Sequence, residues 1–279
     1  MSQPSNLENE MSFIDHLEVL RWHLVRSLAA IVIVMVVVFM IPTFVFDVLI
    51  FSPKEPHFWT YQAMCQLSKI IGLNEMLCFT PKSFEIVNLQ MMGQFVMHLK
   101  ISAVLGFIVA FPYLLWEAWR FIEPGLYEEE RKYSKGIIFI SSLLFMIGVC
   151  FGYFILSPFS INFFATYSVS EMIENNIALD SYISIITTLT MASGIMFELP
   201  MVVYFLSRLG LLTPDFMRNH RRHAFMIILI ISAVITPADV FSQVLVSLPI
   251  YVLYEFSILV SARVVRKMLR QEKALAKVK

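Results

Sequence analysis

The stretch "SLAAIVIVMVVVFMIPTFVF", residues 27–46, contains no charged side chain. About 20 helical residues cross the roughly 30 Å hydrocarbon core of a bilayer, so this stretch predicts a membrane-spanning helix. Residues 137–157 and 183–207 also reach this length, and so do residues 94–116, although they carry His98 and Lys100. Apolar length alone therefore predicts four crossings.

The overall composition supports a membrane protein. The chain has 279 residues, of which 58% are hydrophobic and 15% charged, whereas a soluble domain has about 25% charged residues. No basic patch alternates with aromatic residues, so nucleic acid is not a predicted partner. The N-terminus is polar and acidic, unlike a secretory signal or an Arg-rich transit peptide.

The distribution of basic residues predicts the orientation. Seventeen Lys and Arg lie before the first span, in residues 120–136 and 208–223, and after residue 262; three lie in residues 47–93 and none in 158–182. Short cytoplasmic loops carry the excess of Lys and Arg. Both termini are therefore expected in the cytoplasm, with an even number of crossings.

The segment 224–262 leaves two alternatives open. Residues 224–235 are apolar but span only about 18 Å as a helix, and residues 240–262 are interrupted by Gln243, Pro249 and Glu255. The segment either crosses twice or forms a re-entrant hairpin. If it crosses twice, the bilayer thins around the short helix or water enters.

Glu198 is a carboxylate inside the apolar stretch "MASGIMFELPMVVYF", residues 191–205. On a helix, Gly194, Thr187 and Ser184 lie within about 40° of it, and the glycine allows another helix to approach. The stripe is interpreted either as a hydrogen bond between helices of one bundle or as a contact with another subunit's helix or a proton path. An intramembrane carboxylate favours a function.

The stretch "FIEPGLYEEERKY", residues 121–133, follows the second span and carries three consecutive glutamates, Glu128–Glu130. These acids either complement the dipole at a solvated helix start or form a cradle for guanidinium groups, which pair with carboxylates in bidentate fashion.

Motifs for catalysis or metal binding are weak. His220 and His223 have near-metal spacing but bracket two arginines, which would repel a cation. The "MASG" serine faintly resembles that of intramembrane proteases, yet the leading Gly is missing and residues 224–262 contain no histidine base. No HExxH, GxSxG or phosphate-binding loop is present. We therefore predict no enzyme, no cofactor and no metal.

Cys65 and Cys78 both lie in the long loop 47–93, which the charge count places outside. In an oxidising compartment they form a disulfide, and two free thiols are the alternative. Cys150 lies in the third span and is interpreted as a packing residue.

Four motifs together identify a family resemblance: "HLEVLR" before the first span, "FIEPGLYEEERK" after the second, "FELP" in the fourth and "TPADVFSQ" between the last two segments. They resemble TatC, the multispanning receptor subunit of the twin-arginine (Sec-independent) protein translocase, over residues 13–265. The resemblance implies six transmembrane helices in a glove-like all-α fold of one domain, with both termini cytoplasmic and the last two helices short. The expected spans are 24–46, 94–118, 135–157, 183–207, 222–236 and 240–261, with an outer loop 47–93 and a cytoplasmic tail 263–279.

The resemblance also implies a function and site residues. The protein would lie in the cytoplasmic (inner) membrane, bind twin-arginine signal peptides of folded cargo and recruit single-span TatA/TatB-type subunits, as a homo-oligomer in lipid, with export driven by the proton motive force. Glu130, Phe121 and Arg21 match the signal-binding site. Thr236, Gln243, Asp239 and Glu198 match the polar residues of the membrane site for a partner helix.

One departure from the family motif concerns the second signal-binding glutamate. The family sequence reads HLxELR, and its glutamate position is Val19 here, preceded by Glu18. Neighbouring helical positions differ by about 100°, so Glu18 is only a candidate replacement. The alternative function is a proton-coupled carrier of small solutes that uses Glu198 as a relay within a closed polar cavity.

Overall fold

The computed structural model describes residues 13–71, 78, 84–122, 134–170, 175–236 and 240–276. Its helices are α1 (Phe13–Phe39), α2 (Trp59–Ile71), α3 (Gly93–Ile122), α4 (Ser134–Phe151), α5 (Ser157–Thr166), α6 (Leu179–Met196), α7 (Leu199–Arg208), α8 (Pro214–Asn219), α9 (Arg221–Ile235) and α10 (Val240–Ala276). Two short strands, β1 (Ile86–Val87) and β2 (Ile177–Ala178), pair in parallel. Apart from this pair, a 3-10 turn and two π-helical turns, the regular secondary structure of the described chain is α-helical, as predicted.

Five helical segments are long and apolar enough to cross a membrane: Leu17–Phe39, Gly93–Ile122, Gly136–Thr166, Leu179–Arg208 and Gln243–Arg270. The sixth expected span is α9, whose 15 residues extend about 22 Å. The expectation that the last two helices are both short is wrong for α10, which has 37 residues. Its second half lacks Gly and Pro and is rich in good helix formers, so the helix continues through most of the expected tail.

Prolines set several helix ends and breaks. α1 ends at Phe39, before the expected residue 46, and a π-helical turn, Phe44–Ile50, resumes after Pro42. Pro158 lies in the first turn of α5, where its missing N–H removes no helical bond. A π-helical turn, Gly152–Leu156, joins α4 to α5, so the third span extends to Thr166 rather than residue 157.

The fourth span is broken beside Glu198. α6 ends at Met196, and α7 begins at Leu199 with Pro200 in its first turn. Since proline has no N–H and its ring clashes with the preceding turn, the break falls just before it. Glu198 is therefore placed at a junction of two helices.

α1 and α3 pack side by side in opposite directions. His23 near the start of α1 contacts Glu117 near the end of α3, and Phe39 at the end of α1 stacks on His98 near the start of α3, with ring centroids 4.0 Å apart. α1 and α3 are therefore antiparallel. We call the side of the molecule that holds the start of α1 and the end of α3 the basic end, because the Lys and Arg excess falls on this side.

α6 lies at the centre of the largest apolar cluster. Tyr182, Ile183 and Ile186 are almost fully buried there, together with Val45, Ile101 and Ile161 from neighbouring segments. The Tyr182 hydroxyl donates to the Ile50 carbonyl at 2.9 Å, which satisfies a polar group within the core. α3 and α5 are thereby arranged around one central helix.

The described residues between the first two spans make contacts of their own. Cys65 and Cys78 are joined by a disulfide. Thr60 donates to the Phe154 carbonyl, and the Tyr61 hydroxyl donates to the Pro53 carbonyl at 2.8 Å. These bonds attach α2 to the chain at the end of the molecule opposite the basic end.

Candidate functional site

A polar cluster joins α1 and α3 at the basic end; we call it the α1–α3 cluster, and it consists of His23, Tyr113, Glu117, Arg120 and Phe121. The Glu117 side chain is only 1% exposed and is hydrogen-bonded to Nδ1 of His23. The Tyr113 hydroxyl donates to Oε1 of Glu117 at 2.9 Å, and Nη1 of Arg120 lies 3.7 Å from the same oxygen. The buried carboxylate is thus surrounded by donors, as a buried charge requires.

Helix periodicity assembles this cluster. Tyr113, Glu117 and Phe121 follow one another at intervals of four residues on α3, and such residues share one face of a helix. The Phe121 ring packs against the His23 ring with centroids 6.2 Å apart. An aromatic ring, an imidazole and a carboxylate therefore converge on one patch between two helices.

The predicted signal-binding residues fall on both sides of this patch. Phe121 belongs to the cluster. Glu18 and Arg21 lie on α1 with side chains that are 64% and 67% exposed and 3.9 Å apart, an arrangement that contributes little to stability. Glu130 lies outside the described residues.

The sequence reasoning missed Glu117 and His23. A signal was available, because Glu117 lies on the apolar helix four residues, about one turn, before Phe121, and an ionisable group in a spanning segment favours a function. His23 offered no comparable signal, since its partner lies 94 residues away in sequence.

Glu198 accepts a hydrogen bond from another helix of the same chain. The Ser141 hydroxyl on α4 donates to Oε2 of Glu198, which corresponds to the predicted alternative of a hydrogen bond between helices of one bundle. Oε1 of Glu198 is buried and has no hydrogen-bond partner among the described residues. Since an unpaired buried acceptor costs free energy, this oxygen is a candidate for contact with a further polar group.

The predicted polar stripe beside Glu198 packs against helices of the same chain. A Cβ atom at Gly194 would lie 2.9 Å from both Phe145 and Val149 of α4. Ser184 accepts a hydrogen bond from Nζ of Lys100 at 2.7 Å, and the Thr187 hydroxyl donates to the Ile183 carbonyl at 2.8 Å. The helix that approaches the glycine is therefore α4.

Thr236 and Gln243 lie where α9 ends and α10 begins, at the end opposite the basic end, and only Gln243 bonds across the two helices. The buried Thr236 hydroxyl donates to the Ser232 carbonyl at 2.8 Å, and Nε2 of Gln243 donates to the Leu229 carbonyl at 3.1 Å. Thr236 also lines a cavity of about 660 Å³ that opens between α5, α6 and α9. The structure does not bring this pair to Glu198, and Asp239 lies outside the described residues.

The residues with near-metal spacing have other contacts. Nδ1 of His220 is hydrogen-bonded to the Phe216 carbonyl at 2.8 Å, and the His220 and His223 ring centroids are 5.6 Å apart. Within the described ranges, no three or more His, Cys, Asp or Glu residues converge as metal ligands would.

These features define a class of protein: a multi-pass helical membrane protein with a broken fourth span, one short span and a polar cluster at its basic end. A family model described as the Sec-independent protein translocase protein (TatC) matches residues 15–249. The chain belongs to the TatC family.

Relatives and solved structures agree over most of the chain. The Sec-independent protein translocase protein TatC of Blattabacterium sp. subsp. Periplaneta americana is 41% identical over 263 residues, covering 94% of this chain and 99% of the relative. The TatC protein of Aquifex aeolicus is 33% identical over 265 residues, covering 95% and 100%. A crystal structure of the twin-arginine translocase receptor TatC in DDM superposes with a TM-score of 0.71 at 33% identity, covering 88% of this chain and 99% of that one.

The predicted family and fold are therefore confirmed, with six membrane helices that match those of the TatC crystal structures. The protein is a non-enzymatic component of the Sec-independent translocase. It is a multi-pass membrane protein that works in protein transport as part of the translocase complex.

Proposed function

We propose that this protein is the receptor that binds twin-arginine signal peptides at its basic end, which faces the cytoplasm. The observation that carries the proposal is the meeting of two distant motifs. The segment "HLEVLR" leads directly into His23, and "FIEPGLYEEERK" begins at Phe121, whose ring packs against His23. A peptide bound at this junction contacts both motifs at once.

Recognition in this proposal is electrostatic and bidentate. A guanidinium presents a planar fork of donors that matches a carboxylate, whereas a lysine ammonium is a point charge. Glu130 is the proposed acceptor for one signal arginine, and Phe121 provides the adjacent aromatic surface. Arg21 and Glu18 border the same patch from α1.

Crosslinking of a signal peptide to the full-length protein in membranes tests the proposal. A peptide with two arginines should crosslink near Phe121, and replacement of both arginines by lysine should abolish the product. Glu130→Ala should lose the product while the protein remains in the membrane. Equal crosslinking of the arginine and lysine peptides, or an unchanged Glu130→Ala product, contradicts the proposal. Normal binding by Glu18→Ala would leave Glu128 or Glu129 as further candidates.

The second part of the proposal is recruitment of single-span subunits through polar groups in the membrane. Oε1 of Glu198 is buried without a partner in the described chain, so one donor from an incoming helix can satisfy it. Such a bond contributes about 1–2 kcal/mol in a membrane, which suits reversible recruitment. Thr236, Gln243 and Asp239 form a proposed second contact at the opposite end.

Glu198→Gln and Glu198→Ala separate this role from a proton relay. Gln keeps an acceptor and a donor, so it should retain partner crosslinking and much of the export. Ala should impair both while leaving signal-peptide crosslinking intact, because the signal-peptide patch lies between α1 and α3. Partner contact that is unaffected in Glu198→Ala would exclude recruitment. A Gln variant as inactive as Ala would favour a titrating carboxylate.

The remaining features of the proposal are its setting and energy source. The protein lies in the cytoplasmic membrane with both termini in the cytoplasm, assembles with further copies of itself and uses the proton motive force without ATP or a metal. Labelling of single cysteines with a membrane-impermeant reagent tests the orientation. Protection of both termini in intact cells is expected, and labelling of either terminus from outside would contradict it.

A further inference from the structure

We propose that Glu117 is a second carboxylate of the arginine-binding patch, and that His23 occupies it until a signal arginine takes its place. The inference rests on the proposed function, because it concerns the same peptide. It goes beyond that function by assigning arginine binding to Glu117, which lies outside the four family motifs.

A ligand with two guanidinium groups needs two acceptors, and the described carboxylates at this end are few. At the basic ends of α1 and α3, only Glu18 and Glu117 have described carboxylate side chains. Glu18 is mostly exposed and already lies 3.9 Å from Arg21. Glu117 is enclosed and hydrogen-bonded, so its position is fixed before any ligand arrives.

Helix geometry places Glu117 next to the position where the motif lacks its glutamate. Val19 and His23 are four residues apart on α1, and Glu117 and Phe121 are four apart on α3, so each pair shares a helix face. α1 and α3 are antiparallel, and His23 contacts Glu117. Val19 is therefore level with Phe121, and Glu117 lies one turn, about 5.4 Å, deeper along the same interface.

The contacts of Glu117 show which neighbour can be exchanged. Tyr113 and Arg120 are on the same helix as Glu117 and stay with it, whereas His23 belongs to α1 and is 14% exposed. The His23 ring also packs against the Phe121 ring, with centroids 6.2 Å apart. An imidazole offers one hydrogen bond to the carboxylate, while a guanidinium offers two in parallel.

Exchange of one hydrogen-bond donor for another also avoids an unfavourable intermediate. A buried carboxylate without a donor is strongly destabilised, so Glu117 cannot wait unpaired for a ligand. With His23 as the temporary partner, the carboxylate stays bonded in the free protein. A peptide arginine that enters beside Phe121 then replaces the imidazole.

A purely structural role is the competing explanation, in which the His23–Glu117 bond only fastens α1 to α3. The two explanations predict opposite changes of peptide affinity in the variant His23→Gln. If His23 competes with the signal arginine, His23→Gln tightens peptide binding a few-fold. If the bond only stabilises the packing of α1 on α3, His23→Gln weakens peptide binding.

The experiment measures binding of a fluorescent twin-arginine signal peptide to the full-length protein in detergent, with thermal unfolding of each variant recorded in parallel. Glu117→Gln preserves size and an acceptor oxygen, and it should weaken binding about tenfold or more, the factor expected for a lost hydrogen bond to a charged group. Adding Val19→Glu to Glu117→Gln should restore most of the affinity, because it returns a carboxylate one turn away.

The outcomes are distinct. Wild-type affinity in Glu117→Gln overturns the inference, and so does weakened binding that Val19→Glu does not restore. Loss of binding in Glu117→Gln accompanied by weaker binding in His23→Gln assigns the bond to structure and likewise overturns it. If the wild-type protein binds twin-lysine and twin-arginine peptides equally and Glu130→Ala changes nothing, the proposed function itself fails.

Discussion

Two pairs of helices in this protein are held together by different interactions. At the basic end, α1 and α3 meet through the buried Glu117 and its donors, with His23 supplied by the opposite helix. Between α4 and α6, the helices meet through glycines: a Cβ at Gly148 would lie 2.7 Å from the Ser193 carbonyl oxygen, and one at Gly152 would lie 2.7 Å from Cα of Thr190.

This difference indicates which of the two junctions can change during a transport cycle. Hydrogen bonds in the α1–α3 cluster can be exchanged for bonds of the same kind with a ligand. Glycine contacts depend on backbone atoms at van der Waals distance, and no ligand group can replace them. We expect the first junction to respond to a peptide and the second to hold the bundle together.

The largest expected effect comes from filling the glycine junction. Gly148→Leu places atoms where Phe197 and the Ser193 backbone already lie, so the helices must separate. Overpacking costs about 1–3 kcal/mol and occasionally more, and here the clash includes a backbone oxygen that cannot move aside freely. Thermal unfolding in detergent should show a large loss of stability. Gly136→Leu is the matched control, because a Cβ there meets nothing within 4 Å; equal losses in both variants would break the comparison.

The second effect concerns the disulfide between Cys65 and Cys78. Alkylation of the unreduced protein should modify one of its three cysteines, Cys150, and reduction should expose Cys65 and Cys78 as well. Closing a loop of this length stabilises a protein by about 3 kcal/mol, so Cys65→Ser should lower the unfolding temperature. Two alkylated loop thiols in the unreduced protein would exclude the bond.

A smaller effect is expected at the bond between α4 and Glu198. Ser141→Ala removes the donor to Oε2, which leaves both oxygens of a buried carboxyl without partners among the described residues. The expected cost is about 1–3 kcal/mol. Ser142→Ala is the matched control, since the adjacent buried hydroxyl has no partner in the described chain. Similar unfolding temperatures for the two variants would show that the Ser141 bond contributes nothing.

The smallest effect is expected at Glu18. Its contact with Arg21 is exposed and long, and such pairs contribute about 0–1 kcal/mol. Glu18→Gln should therefore leave the unfolding temperature nearly unchanged, even in low salt. A large loss would mean that Glu18 participates in the α1–α3 cluster, and it would reduce the contrast between the exposed pair and the buried one.

Local patterns predicted the helices well and their ends less well. Apolar length identified the spans, but α1 starts at Phe13 and α10 continues to Ala276, because polar turns outside a membrane are still helical where no Gly or Pro intervenes. Only the folded chain showed that the helix breaks just before Pro200 and places Glu198 between two helices.

The sequence by itself determined the membrane character, the even number of crossings and the acidic and basic segments, because apolar length and charge act locally along the chain. The tertiary structure decided which polar groups meet. His23 and Glu117 are 94 residues apart, and Ser141 and Glu198 are 57 apart, so no local pattern could pair them. Their contact depends on which helices lie side by side and how each is rotated, and that is fixed only when the close-packed faces of all the helices fit together.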